Sequence, residues 1–174
     1  MQISSIRRAR IAATGLLVAT LGSSHLTAAE ALPPVLVVLP VKLLDTSGEP
    51  TDQASRHAER LVRLGDRLAA DLTRAGLYRA TVLPADDLRR ACPSEDIPCL
   101  LRAAQARGGE RIFIGVVHKS STLILQLWAR LVDARTGRET FSRDLNFRGD
   151  TDEAWQRAEA FLLSQIRTGT TEAR

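Results

Sequence analysis

The sequence predicts an α/β (α+β) fold: a mixed sheet of about five strands with helices packed mainly on one face, in the order β-α-β-α-β-β-β-α. Three observations predict it. The stretch 111–148 is typical of three consecutive strands joined by two tight turns. The run 35–44 is valine-rich and apolar on both faces, as in a buried strand. Helical periodicities over 51–75 and 150–167 supply the layer that covers the sheet.

The three consecutive strands each have distinguishable faces. In the middle strand, about 123–132, every second residue from Leu123 to Leu131 is apolar, so a period of two places this set on the core. The third strand follows the turn 133–137, where Gly137 supplies a positive φ. Its Phe141, Leu145 and Phe147 share one side, and its other side is polar enough to meet water.

Helices and short strands fill the rest of the chain. The long helix 51–75 has Thr51 as its predicted N-cap and Gly76 after its last turn. Its predicted buried stripe is Ala54, Ala58, Leu61, Leu64 or Leu68, and Leu72. A strand over 77–83 and helices over 85–92 and 99–107 follow. In the first strand, Pro40 cannot donate a ladder hydrogen bond, which indicates an edge, a bulge or a strand end.

The amino-terminal segment is typical of a secretory signal peptide. Arg7, Arg8 and Arg10 precede an apolar run of about a dozen residues, and Thr27-Ala28-Ala29 offers small residues for cleavage. We therefore expect residues 1–29 to be a cleaved leader, residues 30–174 to form one α/β domain, and the product to be periplasmic.

The charge balance argues against a nucleic-acid partner. Three of the 24 basic residues and none of the 20 acidic residues fall in the predicted leader, so the remainder is close to neutral. A near-neutral domain is poorly suited to electrostatic binding of polyanions. No further segment is long and apolar enough to predict a membrane span after signal cleavage.

Cys92 and Cys99 are the two cysteines of the chain, and both lie in the predicted exported part. An oxidising compartment and an even count favour a disulfide between them. A redox-active pair is the alternative, but the spacing is not C-x-x-C and no basic residue lies between the cysteines. A metal site is a further alternative that lacks a third cysteine or a histidine nearby.

No catalytic constellation, metal-ligand set or cofactor motif emerges from the sequence. His57 and His118 are isolated and are typical of locally hydrogen-bonded side chains. Asp150 and Glu153 have the spacing of a capping box, and with Asp152 they suit the first turn of a helix. We therefore expect neither a catalytic residue nor a metal ligand among them.

One set of residues has the composition of an interface. Trp128 lies on the less apolar face of its strand, and that face is either covered by a helix or exposed for a partner. If it is open, aromatic and charged side chains form a single patch there. The candidate patch is Gln126, Trp128, Arg130, Asp144 and Arg148.

The segments CPSEDIPCLLRAA, RIFIGVVHKSSTLILQLWARLVDARTGRE and RGDTDEAWQRA are similar to a family of bacterial exported proteins of unknown function. The resemblance covers nearly all of the chain after the leader. It implies an uncharacterised periplasmic protein whose relatives are associated with quinoprotein dehydrogenase systems. More distantly, VLVVLPVKLLDTSG and the element order resemble the amino-terminal domain of TolB and the CsgG-like proteins, which implies a docking module of the cell envelope.

The function predicted from these observations is a non-enzymatic periplasmic accessory module that recognises another envelope or periplasmic protein. The first alternative is a small-molecule or metal-binding periplasmic protein associated with a quinoprotein dehydrogenase system. A thiol oxidoreductase or a hydrolase is the third possibility, and it has the least support because no nucleophile is paired with a base.

Overall fold

The computed structural model describes residues 31–172. The predicted signal peptide lies outside the described residues and stays a prediction. The elements, in chain order, are β1 (Val35–Val38), β2 (Lys42–Asp45), α1 (Ala54–Arg74), β3 (Arg79–Val82), α2 (Ala85–Ala91), α3 (Ile97–Gln105), β4 (Arg111–Lys119), β5 (Ile124–Asp133), β6 (Glu139–Arg148) and α4 (Asp152–Glu172).

The strands form one mixed sheet of six strands, in the order β3-β1-β4-β5-β6, with β2 also beside β4. Strands β1, β2 and β3 run parallel to their neighbours, and β4, β5 and β6 form an antiparallel meander. The predicted fold class is confirmed. The sixth strand arises because the predicted strand 35–44 is interrupted at Leu39–Val41, where Pro40 has no N–H to donate.

The faces predicted for the meander are confirmed, except at Leu123, which precedes β5 and is 66% exposed, so its predicted place in the core was wrong. On β5, Leu125, Leu127 and Leu131 are buried, while Gln126 and Trp128 point to the opposite face. Phe113 of β4 and Leu145 of β6 join the leucines in one core cluster. The alternation extends across all three strands because their antiparallel register pairs like faces, as far as Leu131, where the register of β5 against β6 shifts.

The two faces of the sheet are covered unequally. The two 21-residue helices, α1 and α4, pack on the leucine face and close the larger core with Leu68 and Leu162. The short helices α2 and α3 pack on the other face, where Leu88 and Leu100 contact a smaller cluster around Val37. That cluster reaches only one end of the meander, so none of the described helices covers much of the second face.

Helix α1 differs from its prediction at its amino-terminal end. It begins at Ala54, and Thr51 does not cap it; the Asp52 carboxylate instead accepts from the Ala54 N–H at 2.9 Å. His57 and Arg60 are buried where the apolar pattern placed Ala54 and Ala58. The C-terminal half of the predicted stripe is confirmed. The helix ends as expected, with Gly76 at a φ of 67°.

Cys92 and Cys99 are joined by a disulfide, with their Cα atoms 5.6 Å apart. The bond connects the end of α2 to the first turn of α3, and both cysteines are buried. Helix α3 is also fixed by its N-cap, because the Asp96 carboxylate accepts from the Cys99 N–H at 2.8 Å.

Replacing both cysteines with alanine should lower the free energy of unfolding by about 2–3 kcal/mol, since the unfolded chain then loses the constraint of a short closed loop. Urea unfolding measures the loss. Dithiothreitol should produce the same loss in the wild type and no further loss in the C92A/C99A variant. Equal stability of the oxidised wild type and that variant would show that the bond contributes nothing.

Candidate functional site

The uncovered part of the second sheet face is the candidate site, and we call it the open face. Register places His118 between Leu44 and Gln126, and Gln126 opposite Asn146. The next row of side chains across the same strands, on the side nearer to α3, is Lys42, Val116, Trp128 and Asp144. The open face comprises Lys42 and Leu44 of β2, Val116 and His118 of β4, Ile124, Gln126, Trp128 and Arg130 of β5, and Ser142, Asp144, Asn146 and Arg148 of β6.

Trp128 lies at the centre of the open face and is half-buried. Its ring centroid is 5.3 Å from that of His118, with the planes inclined at 42°. Its Nε1–H donates to Gln126 Oε1 at 3.2 Å, and Gln126 Nε2 donates to Asn146 Oδ1 at 2.7 Å. The indole is therefore held in one orientation by neighbours on three strands, and part of its ring area remains in contact with solvent.

Charged side chains flank the tryptophan. Arg130 donates to Asp144 Oδ1 at 2.7 Å and lies 3.3 Å from Glu139 Oε2. Arg148 is exposed and lies opposite Ile124, whose side chain is 51% exposed. All five residues of the candidate patch therefore share the open face. Four of them form a contiguous group around Trp128, and Arg148 lies at its far end.

Strands β2 and β4 also contribute to this surface, which was not predicted from the sequence. His118 was interpreted as an isolated histidine, but its ring contacts Trp128 and its Nε2 lies 2.9 Å from Thr46 Oγ1. Leu44 adds an exposed apolar side chain beside it. Part of this contribution could have been predicted from the sequence. His118 and Val116 are two residues apart on β4, so both side chains face away from the leucine core.

A second group of polar residues lies between α1 and the sheet, and we call it the ion cluster: Glu49, His57, Arg60, Lys119, Asp150 and Asp152. Its members are buried except for the partly buried Glu49 and the exposed Asp152. Asp150 is at its centre, and its side chain is 6% exposed. One of its oxygens lies 2.7 Å from His57 Nε2, and the other accepts from Arg60 at 2.7 Å and from Trp155 Nε1 at 3.0 Å.

The ion cluster joins four segments of the chain. Lys119, at the end of β4, is 1% exposed; it donates to Glu49 at 2.8 Å and lies 3.4 Å from Asp150. Arg60 also donates to Asp152 at 2.6 Å. Lys119 is the last residue of β4, and its ammonium group completes this network.

The capping role predicted for Asp150 was also wrong. Thr151 caps α4, since its Oγ1 accepts from the Ala154 N–H at 3.3 Å, and the Asp150 carboxylate is turned into the ion cluster. Burial disfavours the charged carboxylate, but hydrogen bonds from His57 and Trp155 and the charge of Arg60 outweigh it and lower the pKa of Asp150. Asp150 is thus an anion that balances buried cations.

Within residues 31–172, no group of three or more acidic, histidine or cysteine side chains could hold a metal ion. Across the same residues, no helix has the length and apolarity needed to cross a membrane. The arrangement at the open face supplies an aromatic surface, hydrogen-bonding amides and paired charges, which suit recognition rather than bond cleavage.

Residues 34–166 match the model of the family DUF3280, described as "Protein of unknown function (DUF2380)". The chain belongs to this family. The family predicted from the sequence, an uncharacterised one, is confirmed. No curated protein sequence matched the chain.

The solved structures of PelC and TolB share the fold. The PelC dodecamer from Paraburkholderia phytofirmans is 14% identical, with a TM-score of 0.53 over 79% of this chain and 90% of that one. TolB from Acinetobacter baumannii is 16% identical, with a TM-score of 0.50 over 80% of this chain and 29% of TolB. Lipoprotein GNA1162 from Neisseria meningitidis is 20% identical, with a TM-score of 0.47 over 80% of this chain and 97% of that one. At these identities the similarity shows the fold alone, and the predicted resemblance to TolB is confirmed at that level.

Proposed function

We propose that this protein is a non-enzymatic accessory module of the bacterial envelope that recognises another protein through the open face. The observation that carries the proposal is a half-buried tryptophan at the centre of a sheet face that none of the helices within residues 31–172 covers. Aromatic side chains at the centre of a surface patch are the most frequent anchors of protein interfaces.

The geometry around Trp128 favours binding. His118 and Gln126 fix the indole before any partner arrives, so little side-chain freedom is lost on association. Leu44 and Ile124 place exposed apolar area at the edge of the same surface. A partner that covers the open face would therefore bury a preformed apolar centre.

The charged residues at the rim of the open face favour one orientation of a bound partner. Arg130 and Asp144 pair with each other at the edge of the patch, and Arg148 lies exposed beyond them. Rim charges of this kind contribute more to the rate and specificity of association than to affinity. A partner with alternating charges along its contact edge fits this surface best.

The periplasmic location follows from the predicted leader, and it is part of the proposal. The shared fold of PelC and TolB supports a role in the envelope. PelC was solved as a dodecamer, so a second copy of this chain is an alternative occupant of the open face. The partner that we favour is a different protein, and measuring the mass of the purified protein separates the two.

We expect Trp128→Ala to reduce recovery of the partner from native envelope extracts by at least about tenfold, because loss of a central aromatic anchor weakens interfaces strongly. Tagged wild type and variant would be compared after mild crosslinking, with circular dichroism to confirm folding. Asp144→Arg, at an exposed position, should also lower recovery without affecting the core.

The matched control is Phe161→Ala, which removes an aromatic ring that is 54% exposed on α4, on the opposite side of the sheet. It should leave recovery unchanged. Full recovery with both open-face variants would contradict the proposal. A purified wild type that is oligomeric, and becomes monomeric on Trp128→Ala, would instead identify the second copy as the occupant.

A further inference from the structure

A groove on the other side of the molecule is unconnected with the open face. It lies between α1 and the ends of β1 and β3, and its volume is ≈ 520 Å³. We call it the α1 groove. Its walls are largely apolar and include Leu39, Val41, Leu61, Val62, Val82 and Leu83. This volume and lining are typical of sites for small organic ligands.

The groove lies where this type of sheet usually binds ligands. Strands β1 and β3 are parallel, and both end at the groove, where Leu39 and Leu83 line it. The chain that leaves β1 continues through β2 to α1 on one face of the sheet, and the chain that leaves β3 continues to α2 and α3 on the other face. The two connections therefore diverge at the carboxyl ends of these neighbouring strands. Ligand sites of open α/β sheets form in the crevice at such a divergence.

Helix α1 directs a continuous stripe into the groove. Ala58, Leu61, Val62, Gly65 and Asp66 recur at helical spacing and all line it. Val62 is 63% exposed, which is unusual for a valine beside an apolar cavity. This stripe includes part of the apolar pattern that was predicted to be core, and it remains uncovered because His57 and Arg60 turn toward the ion cluster.

Gly65 keeps the groove open. Glycine destabilises a helix interior relative to alanine, and Gly65 lies in the middle of α1. A Cβ at this position would lie 3.9 Å from Val38 Cγ1, an ordinary contact. The packing of the protein therefore does not require glycine here, whereas a longer side chain would occupy the groove.

Asp66 gives the groove a charge preference. It is the one ionisable residue among the residues that line the groove, and it is exposed at the rim. Within the described part of the chain it has no ion-pair partner. The neighbouring acids of α1 do have one, since Glu59 pairs with Arg63 and Asp71 pairs with Arg74. An unpaired carboxylate beside an apolar wall complements a ligand that is apolar at one end and cationic at the other.

We propose that the α1 groove binds a small amphiphilic cation, with its apolar body against Leu61, Val62 and Leu83 and its ammonium or guanidinium group at Asp66. The inference does not rest on the proposed function, because the two surfaces share no residue.

The test uses three ligands with the same tail, namely octylamine, octanol and octanoate, titrated below micelle-forming concentrations into ¹⁵N-labelled protein. We expect octylamine to shift amide signals of the groove and to bind more tightly than octanol by about fivefold, as for a partly exposed ion pair. Octanoate should bind least. Asp66→Asn should remove the preference for the amine, and the control Glu59→Gln should keep it.

Gly65→Leu should abolish binding of all three ligands by filling the groove. If that variant does not fold, the comparison with Asp66→Asn decides, because Asp66 is exposed and its replacement leaves the core intact. No shift at the groove with any ligand would overturn the proposal. A preference for octanol or octanoate over octylamine would also overturn it. Binding of an N-acetyl-Leu-Leu-Lys amide peptide without binding of octylamine would overturn it too, because the occupant would then be a peptide segment.

Discussion

Replacing Asp150 with asparagine should lower the free energy of unfolding by about 3–5 kcal/mol, because Arg60 and Lys119 would remain buried without their shared counter-ion. The carboxylate lies 2.7 Å from an Arg60 nitrogen and 3.4 Å from Lys119 Nζ, and both cations are almost fully buried. Urea unfolding at neutral pH measures the loss.

Two comparisons show whether the loss arises from the ion cluster. Asp144→Asn breaks an ion pair on the exposed surface, so it should cost less than about 1 kcal/mol. In a Lys119→Met background, Asp150→Asn should cost less than in the wild type, because one of the stranded cations is gone. An equal cost in both backgrounds would show that Lys119 and Asp150 are not coupled.

The pKa of Asp150 also predicts that the protein loses stability at acidic pH. The pKa of Asp150 is lowered in the folded protein, so the unfolded chain binds the proton more readily. The stability contributed by the charged form is complete above the unfolded pKa, and it decreases as the pH falls through the folded one. Asp150→Asn should therefore flatten the acid side of the stability profile.

Glu159→Gln should stabilise the protein at pH 8 by on the order of 3 kcal/mol. Glu159 is 3% exposed, its Oε1 has no hydrogen-bond partner among the described residues, and burial together with the charge of Asp71 raises its pKa to about 7. The folded state therefore holds a proton that the unfolded state releases. Stability decreases as the pH rises from about 4.5 to about 7, and then levels.

The difference in unfolding free energy between Glu159→Gln and the wild type, measured from pH 4.5 to pH 8.5, isolates this group. It should be close to zero at pH 4.5 and should grow until about pH 7, the folded pKa of this carboxyl. Glu153→Gln, an exposed site on the same helix, should show no such rise. A difference that is constant with pH would mean that Glu159 does not titrate in this range.

Much of the fold follows from local pattern. The alternation of leucines on β5, the phenylalanines on β6 and the position of Gly137 predict the meander and its faces correctly, because side-chain period and turn geometry are local properties. Pro40 likewise signals the break between β1 and β2. These features depend on a few consecutive residues, and long-range pairing does not alter them.

The ion cluster could not be predicted in the same way. Arg60 and Asp150 are separated by 90 positions, and neither has a local feature that distinguishes it from an exposed charge. Apolar periodicity places Ala58 in the core, whereas His57 and Arg60 occupy the core-facing side of this end of α1. Long-range pairing of charges outweighs hydropathy at this end of the helix.

The open face was predictable in composition but not in exposure. The two-residue period of a strand puts Gln126, Trp128 and Arg130 on one side of β5. Whether a helix covers them depends on where α2 and α3 pack and on how long they are. Those helices have seven and nine residues and are joined to each other by the disulfide. They pack on β1 and on only the end of the meander that carries Ile112 and Val132. Their position is a property of the tertiary structure.

In-cell photo-crosslinking shows whether another protein binds the open face in the living cell. A photoreactive phenylalanine would replace Asn146, which is exposed on the open face, or Ala160, which is exposed on α4 on the opposite side of the sheet. We predict a discrete crosslinked protein from position 146, absent from position 160 and lost on Trp128→Ala. Crosslinks from position 160 alone, or products at position 146 that persist without Trp128, would contradict recognition through the open face.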